Sequence, residues 1–335
     1  MAPGGAHDGR SAGEHAPMHR IAQLGFAWAW LIMLSWWVAG WINGLGVSFQ
    51  WLAWIPDTAW LLIALPGAML VEFDWRKVGG RSGWWKAIVL IPIGTLLAAS
   101  MFNDWRFQRP LPEDGIRIAF LNASDPSPHR VDGIVANLLE LDAQLVVVSN
   151  PGALRAGIDR VLSGGEGWNF FSSYRFLVLS RYPISTFRTM FAADEISGSM
   201  IGVELPEGES FKVLGVDLPS NPKIDRVEVA VRLREFMATT DSGSFDLMVG
   251  DLNMTPRSTA LAIVAEEARN AFNVAGAGWG GTWTSERPIL RLDHGLVREG
   301  IEILDARTFD VGIRHRGLLI TLGDIERSNE PDTAR

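Results

Sequence analysis

The chain contains no cysteine, only two tyrosines, and after residue 105 only two lysines, Lys212 and Lys223. Without cysteine there is no disulfide framework, no thiolate metal site and no cysteine nucleophile. The compartment stays open, because a protein outside the cytoplasm can do without disulfides. Residues 106–335 carry 24 basic residues against 32 acidic ones, which accounts for the whole formal charge of −8. An acidic part so poor in lysine makes a weak phosphate-backbone binder, so strong nucleic-acid binding is not expected. Charge is scarcest between Ile21 and Val71, where Asp57 is the only charged residue.

That stretch reads as membrane. Residues 1–105 hold 12 of the 15 tryptophans. Ile21–Ile42 is long enough to cross a hydrocarbon core, which takes roughly 20 apolar residues. It is too long for the apolar core of a secretory signal, roughly 7–15 residues, and two more apolar runs follow it. Trp51–Val71 is a second candidate, weakened by Pro56-Asp57 and Pro66. Ala87–Phe102 is a third, short but flanked by Trp84, Trp85 and Trp105, the pattern of an aromatic belt. Asp57 reads as a wet turn beside Pro56 in preference to a functional intramembrane carboxylate.

Glu72–Lys86 carries Arg76, Lys77, Arg81 and Lys86, whereas Asn43–Gln50 carries no charge. The positive-inside rule then puts the N-terminus in the cytoplasm. Three crossings put the C-terminal domain in the periplasm or outside the cell, with the anchor in the cytoplasmic (inner) membrane. Residues 1–20 read as a disordered tail, 21–105 as a membrane domain of about three helices, 106–115 as a linker, 116–322 as a second domain and 323–335 as a C-terminal tail.

The second domain alternates buried apolar runs with helical patterns. Ile116–Leu121, Leu145–Val148, Phe176–Leu179, Met200–Leu205, Phe211–Val216, Leu247–Val249 and Leu318–Leu322 read as strands, and Val131–Leu141 and Val227–Ala238 as helices. The fold class is therefore α/β: transmembrane helices followed by a layered domain with a substantial core. The sharpest chemical string is Gly250-Asp251-Leu252-Asn253-Met254-Thr255-Pro256, directly after a buried run. A carboxylate and an amide two residues apart at a strand end point to one side, where they suit a reacting water and a phosphate oxygen. Other strand ends carry Asn122, the string Leu179–Ile184, Thr282-Trp283 before Arg291-Leu292-Asp293-His294, and Arg314-His315-Arg316-Gly317. Gly278–Gly281 reads as a loop shaping a cleft and not as a nucleotide cradle.

This ordered set resembles the endonuclease/exonuclease/phosphatase superfamily, from about Ile116 to Leu322. The resemblance implies a four-layer α/β sandwich, two packed mixed sheets flanked by helices. It implies that Asn122 lies near metal and phosphate, that Asp251 and Asn253 orient the attacking water and hold the phosphate, and that Asp293 orients a catalytic His315. Three positions depart from the pattern. Asn150 stands where the superfamily has a metal-binding glutamate, Asp217 where it has a histidine, and Arg314 where it has an aspartate. A neutral amide is a poor ligand for a hard divalent cation, and an arginine repels one. Two compensations remain open, Asp217 as a displaced ligand and Arg314 as a phosphate-binding cation.

The expectation is a protein with lapsed catalysis and no cofactor. It would serve as a structural or accessory subunit of a larger membrane complex, of respiratory or photosynthetic type, with partner subunits and lipid contacting the tryptophan-rich helices. The alternative is an anchored phosphodiesterase or phosphatase using Mg²⁺ or Mn²⁺, with Asp251 and Asp217 as ligands.

Overall fold

A computed structural model of the chain describes residues 15–78, 83–124, 126–162, 167–173, 175–206, 208–240 and 244–325. The C-terminal tail beyond 325, most of the N-terminal tail, and the side chains of Arg76, Lys77, Arg81 and Lys86 on which the orientation argument rests lie outside the described part. Two compact units are present: Met1–Val38 with Asp57–Ser100, and Ala39–Pro56 with Met101–Arg335.

The first unit is helical. His15–Ile42, Asp57–Val78 and Gly83–Asn103 form long helices. Arg20–Ile42 is long and apolar enough to cross a membrane; Leu90–Asn103 is apolar but shorter. The expected second span Trp51–Val71 is not one helix, because Ile55 takes an extended backbone between Trp51–Trp54 and Asp57–Val78. A Cβ on Gly25 would meet the Gly67 carbonyl oxygen at 2.5 Å, and a Cβ on Gly67 would meet that of Gly25 at 2.6 Å. The two backbones therefore touch where neither residue has a side chain, the small-residue packing that lets apolar helices approach closely. Asp57 differs from the wet turn expected of it. It is buried, opens its helix, and accepts a 2.5 Å hydrogen bond from the Trp36 indole. A carboxylate in that place also faces the positive end of the helix dipole.

The second unit is built from two mixed sheets. One runs in the order Trp105–Arg106, Gly276–Trp279, Ile301–Phe309, Gly317–Ile325, Ile116–Asn122, Leu145–Ser149, Phe176–Ser180, Asn169–Ser172. The other runs Ala268–Asn270, Asp293–Arg298, Leu247–Asp251, Ser210–Asp217, Ile196–Glu204, Ile184–Ala193. The period of two along each strand sorts the core. Ile118, Phe120 and Val147 face Val213 and Val249 between the sheets. Ala119, Leu121, Val146 and Val148 face helices Val131–Leu139 and Leu154–Leu162 on one outer side. Leu214, Val216 and Met248 face Arg226–Thr239 and Thr259–Val264 on the other. The result is helix, sheet, sheet, helix, the four layers expected.

Every strand read from the sequence is present. The reading missed Asn169–Ser172, Ile184–Ala193, Asp293–Arg298 and Ile301–Phe309, whose polar or half-exposed residues interrupt the apolar runs, and the short strands Trp105–Arg106, Ala268–Asn270 and Gly276–Trp279.

The segment Ala39–Pro56 folds with the sheets by answering their polar groups. Gln50 donates from Nε2 to the carbonyls of Pro222 (2.7 Å) and Ile224 (3.2 Å), and its Oε1 accepts from the Arg226 amide at 3.1 Å. Asn43 Oδ1 accepts from the Thr259 amide at 2.9 Å, and the Thr255 hydroxyl donates to the Ala53 carbonyl at 2.6 Å. Replacing Gln50 with alanine leaves the buried Arg226 amide and two carbonyls short of partners. The expected cost is about 1–3 kcal/mol of stability in the second unit, read as a lower midpoint of thermal unfolding in detergent, with Val231→Ala on the exposed helix face as the unaffected control.

Candidate active site

Strand pairing assembles the site. Ile116–Asn122 runs parallel to Leu145–Ser149, and Ser210–Asp217 runs parallel to Leu247–Asp251, so each pair ends at the same edge. Asp217 lies opposite Asp251 in register, and Asp293 lies opposite Asp251 on the other side. Asn122 is the last residue of its strand, and Asn150 follows Ser149 directly. Asn150 and Asn253 have φ of 48° and 50°, left-handed backbone that asparagine tolerates better than most residues. A cleft of about 630 Å³ opens over this edge. Asn122, Asn150, Asp217, Asp251, Asn253, Arg314 and His315 all line it, which gathers seven of the eight residues singled out in the sequence.

The eighth, Asp293, sits behind His315. The His315 Nδ1–H donates to Asp293 Oδ2 at 3.0 Å, and Nε2 faces Asp251 Oδ2 at 4.0 Å. Asp293 is fully buried and is set in place from Thr282, whose hydroxyl accepts from the amides of Leu292 and Asp293 at 3.0 and 3.2 Å. Burial on its own lowers the imidazole pKa, but the carboxylates of Asp293 and Asp251 more than reverse this and push it up to about 9. Burial raises the Asp251 carboxyl, and the nearby Asp293 carboxylate adds to the rise.

On the opposite side a chain of amides joins the acids. Asn122 Nδ2 donates to Asp251 Oδ2 at 2.7 Å, while its Oδ1 accepts from the Ser124 amide at 3.0 Å and from Asn150 Nδ2 at 3.3 Å. Asn150 Nδ2 also donates to Asp217 Oδ1 at 3.0 Å. Arg175 donates to Asn150 Oδ1 at 3.2 Å and pairs with Asp217 Oδ2 at 3.6 Å. Burial pushes Asp217 up to about 6, and the Asn150 hydrogen bond and Arg175 hold the rise in check. Asn253 donates from Nδ2 to the Leu218 carbonyl at 3.0 Å, and its own amide donates to Asp251 Oδ1 at 3.0 Å. Its NH₂ therefore braces the adjoining loop while the residue lines the cleft.

Asp251, Asp293 and His315 form the one group among the described residues whose potential ligand atoms lie within 4.8 Å of one another. Asp217, expected to share a metal with Asp251, is not part of it. The donor set does not fit Mg²⁺ or Mn²⁺. The oxygen acceptors of Asn122 and Asp217 already face N–H groups, and Arg175 and Arg314 line the same cleft. A hard divalent cation needs several anionic or carbonyl oxygens instead.

Two contributors went unread in the sequence, Arg175 and Trp54. Both line the cleft. The wall Leu218–Pro222 is held by Arg226, which donates to the carbonyls of Pro219 (2.7 Å) and Asn221 (3.1 Å). Two expected contributors lie elsewhere. Gly278–Gly281 packs against Gln108, Phe272 and Pro288 and is absent from the described lining. Arg181, of the string Leu179–Ile184, stacks on Trp168 with its guanidinium carbon 4.1 Å from the ring centroid. His294 is buried between Asn270 and the Met254 carbonyl, and burial pushes it down to about 3, so it is a neutral core residue.

The titration of the site links to stability with one sign. His315 is raised from 6.5 to about 9, so its contribution is complete below pH 6.5 and is lost as pH rises through 9. The elevated carboxyls act in the same direction, Asp217 between pH 3.8 and about 6 and Asp251 between 3.8 and about 8. Thermal midpoints of the wild type should therefore fall between pH 6.5 and 9, and His315→Asn should flatten that fall. The difference should be roughly 3 kcal/mol at most.

No protein-family model and no curated protein sequence matches the chain. Solved structures do. A mannosyl-6-phosphatase from Bacteroides thetaiotaomicron VPI-5482 superposes with a TM-score of 0.52 at 11% identity, over 62% of this chain and 100% of that one. An endonuclease/exonuclease/phosphatase family protein from the same species gives 0.50 at 11% identity, over 63% and 98%. A conserved protein from Enterococcus faecalis V583 gives 0.50 at 13% identity, over 62% and 99%. At such identities the likeness speaks for the fold, and the second unit of this chain has the endonuclease/exonuclease/phosphatase fold.

Proposed function

We propose that this chain is a membrane-anchored protein of the endonuclease/exonuclease/phosphatase fold whose cleft no longer performs metal-dependent phosphoester hydrolysis. In this reading it serves as an accessory subunit of a larger membrane assembly, with its second unit on the extracytoplasmic face. One observation carries the lapse of catalysis. The Asn150 amide, placed where the superfamily resemblance puts a glutamate, donates to both Asn122 and Asp217, and Arg175 closes the same network. Hydrogens sit where a cation would require lone pairs. The subunit role is supported by the outward apolar surface of the first unit. Leu24, Leu31, Trp37, Leu62, Met69 and Leu90 are all exposed, a surface suited to lipid or to neighbouring helices.

The second reading is a hydrolase, favoured by the intact His315–Asp293 pair facing Asp251. There His315 would stabilise charge on a phosphoryl oxygen while Asp251 orients the attacking water.

Purified full-length protein in detergent, assayed with bis(p-nitrophenyl) phosphate and p-nitrophenyl phosphate in Mg²⁺ or Mn²⁺, separates the two. The expected rate equals that of Asp251→Ala. The double variant Asn150→Glu with Arg314→Asp should gain metal-dependent turnover of about 100-fold or more over that background, the lower range for positioned acid–base groups. Wild-type turnover abolished by Asp251→Ala would overturn the proposal. Gentle extraction from native membranes tests the subunit role: migration at fixed stoichiometry in a larger complex supports it, and migration alone removes it.

A further inference from the structure

We infer that the second unit lies on the bilayer surface through the segment Ala39–Pro56, whose outward apolar face enters the lipid headgroup layer. The inference rests on the reading of the chain as membrane-anchored and adds that the sheet domain has a lipid contact of its own.

The first observation is that the segment is inside out. Its buried residues include Asn43, Gln50 and Ala53, and its exposed large side chains are Trp41, Leu45, Phe49 and Trp51. A surface segment facing water has the reverse arrangement. The polar groups point inward because the sheet domain answers them: Asn43 accepts from the Thr259 amide, and Gln50 bonds to Pro222, Ile224 and Arg226. The backbone is held closely on that side as well. A Cβ on Gly44 would meet the Thr259 side chain at 2.9 Å, and one on Gly40 would meet the Arg257 guanidinium at 3.0 Å. The segment is therefore a fixed part of the second unit and cannot turn its apolar residues inward without breaking these bonds.

The second observation is where the face occurs in the chain. The segment follows Arg20–Ile42, a helix long and apolar enough to cross a membrane, and leads into the apolar helix Asp57–Val78. The ends of a crossing helix lie at headgroup depth. Leu45 is three residues past Ile42, so it lies within about 11 Å of that end even on a fully extended chain. Tryptophan prefers the same depth, because its ring is apolar and its N–H seeks a polar partner. No residue between Ile21 and Pro56 is charged, so the face meets zwitterionic lipid without help from anionic headgroups. The chain returns to the second unit at Met101, and there Phe102 and Phe107 are exposed too. The Arg106 guanidinium carbon lies 5.0 Å from the Phe102 ring centroid, an apolar ring beside a cation of the kind that suits a headgroup layer.

The chain has no cysteine, so a single introduced cysteine carries a nitroxide label without background. The test places labelled single variants of the full chain in phosphatidylcholine nanodiscs. Leu45→Cys and Phe49→Cys report on the proposed face, Leu31→Cys on the helix Arg20–Ile42, and Val231→Cys on an outer helix of the second unit; all four sites are exposed. Relaxation by oxygen, which concentrates in lipid, and by a water-soluble nickel chelate gives the depth of each label. The labels at Leu45 and Phe49 should lie about 5–10 Å into the boundary of headgroups and acyl chains, shallower than that at Leu31, with Val231 in water. Exchanging part of the phosphatidylcholine for phosphatidylglycerol should move none of them. Nickel access at Leu45 and Phe49 equal to that at Val231, with Leu31 in lipid, would overturn this inference and leave the anchored reading standing. Water at Leu31 as well would remove both. Shielding of Leu45 and Phe49 from oxygen and nickel alike would mean that a second copy covers the face, and insertion only with phosphatidylglycerol would mean that charge draws it down. Either result overturns the inference.

Discussion

The constraint from which the site follows is parallel pairing within two mixed sheets. A parallel pair must finish at a common edge, and both Ile116–Asn122 with Leu145–Ser149 and Ser210–Asp217 with Leu247–Asp251 do so. Four strand ends thus deliver Asn122, Asn150, Asp217 and Asp251 to one cleft with no loop needing to find its way there. The antiparallel strand Asp293–Arg298 adds its first residue beside Asp251. Packing of Phe120, Val147, Val213 and Val249 between the sheets fixes the register on which these meetings depend. A slip of one residue would exchange the core faces of an entire strand.

The substitutions in the cleft work together because of that geometry. An asparagine at 150 would be a mere loss of charge if Asp217 stood apart from it, but the structure joins them by a 3.0 Å hydrogen bond and brings Arg175 to both. Charge that would otherwise favour a cation is spent inside the protein. His315 keeps its orienting carboxylate, and Arg314 lines the cleft beside it where the resemblance places an aspartate.

The sequence made much of this legible for a physical reason. Strands buried on both faces read as continuous apolar runs, and a polar residue at the end of such a run stands out; Asn122 and Asp251 were found in this way, and Asp293 through the resemblance. Arg175 carried no such signal, because one arginine ahead of Phe176–Ser180 looks like any solvated loop residue. Ile184–Ala193 was missed since only one of its residues is buried, so its pattern resembles a polar connection. Gln50 and Trp54 were hidden by their company. Gln50 closes an uncharged loop and Trp54 lies in a run so free of charge that composition assigns it to lipid, and only tertiary hydrogen bonds reveal that the segment belongs with the sheets.

That segment bears on how the molecule is made. Gln50 meets Arg226, a partner 176 residues further along the chain, and Thr255 lies 202 residues beyond Ala53. Synthesis therefore delivers the first piece of the second unit well before the strands and helices that receive it. Until then the polar groups of Asn43, Gln50 and Ala53 must be served by water or by the machinery that handles nascent membrane proteins. Contacts this far apart in sequence are slow to close, since the intervening chain must surrender its freedom first.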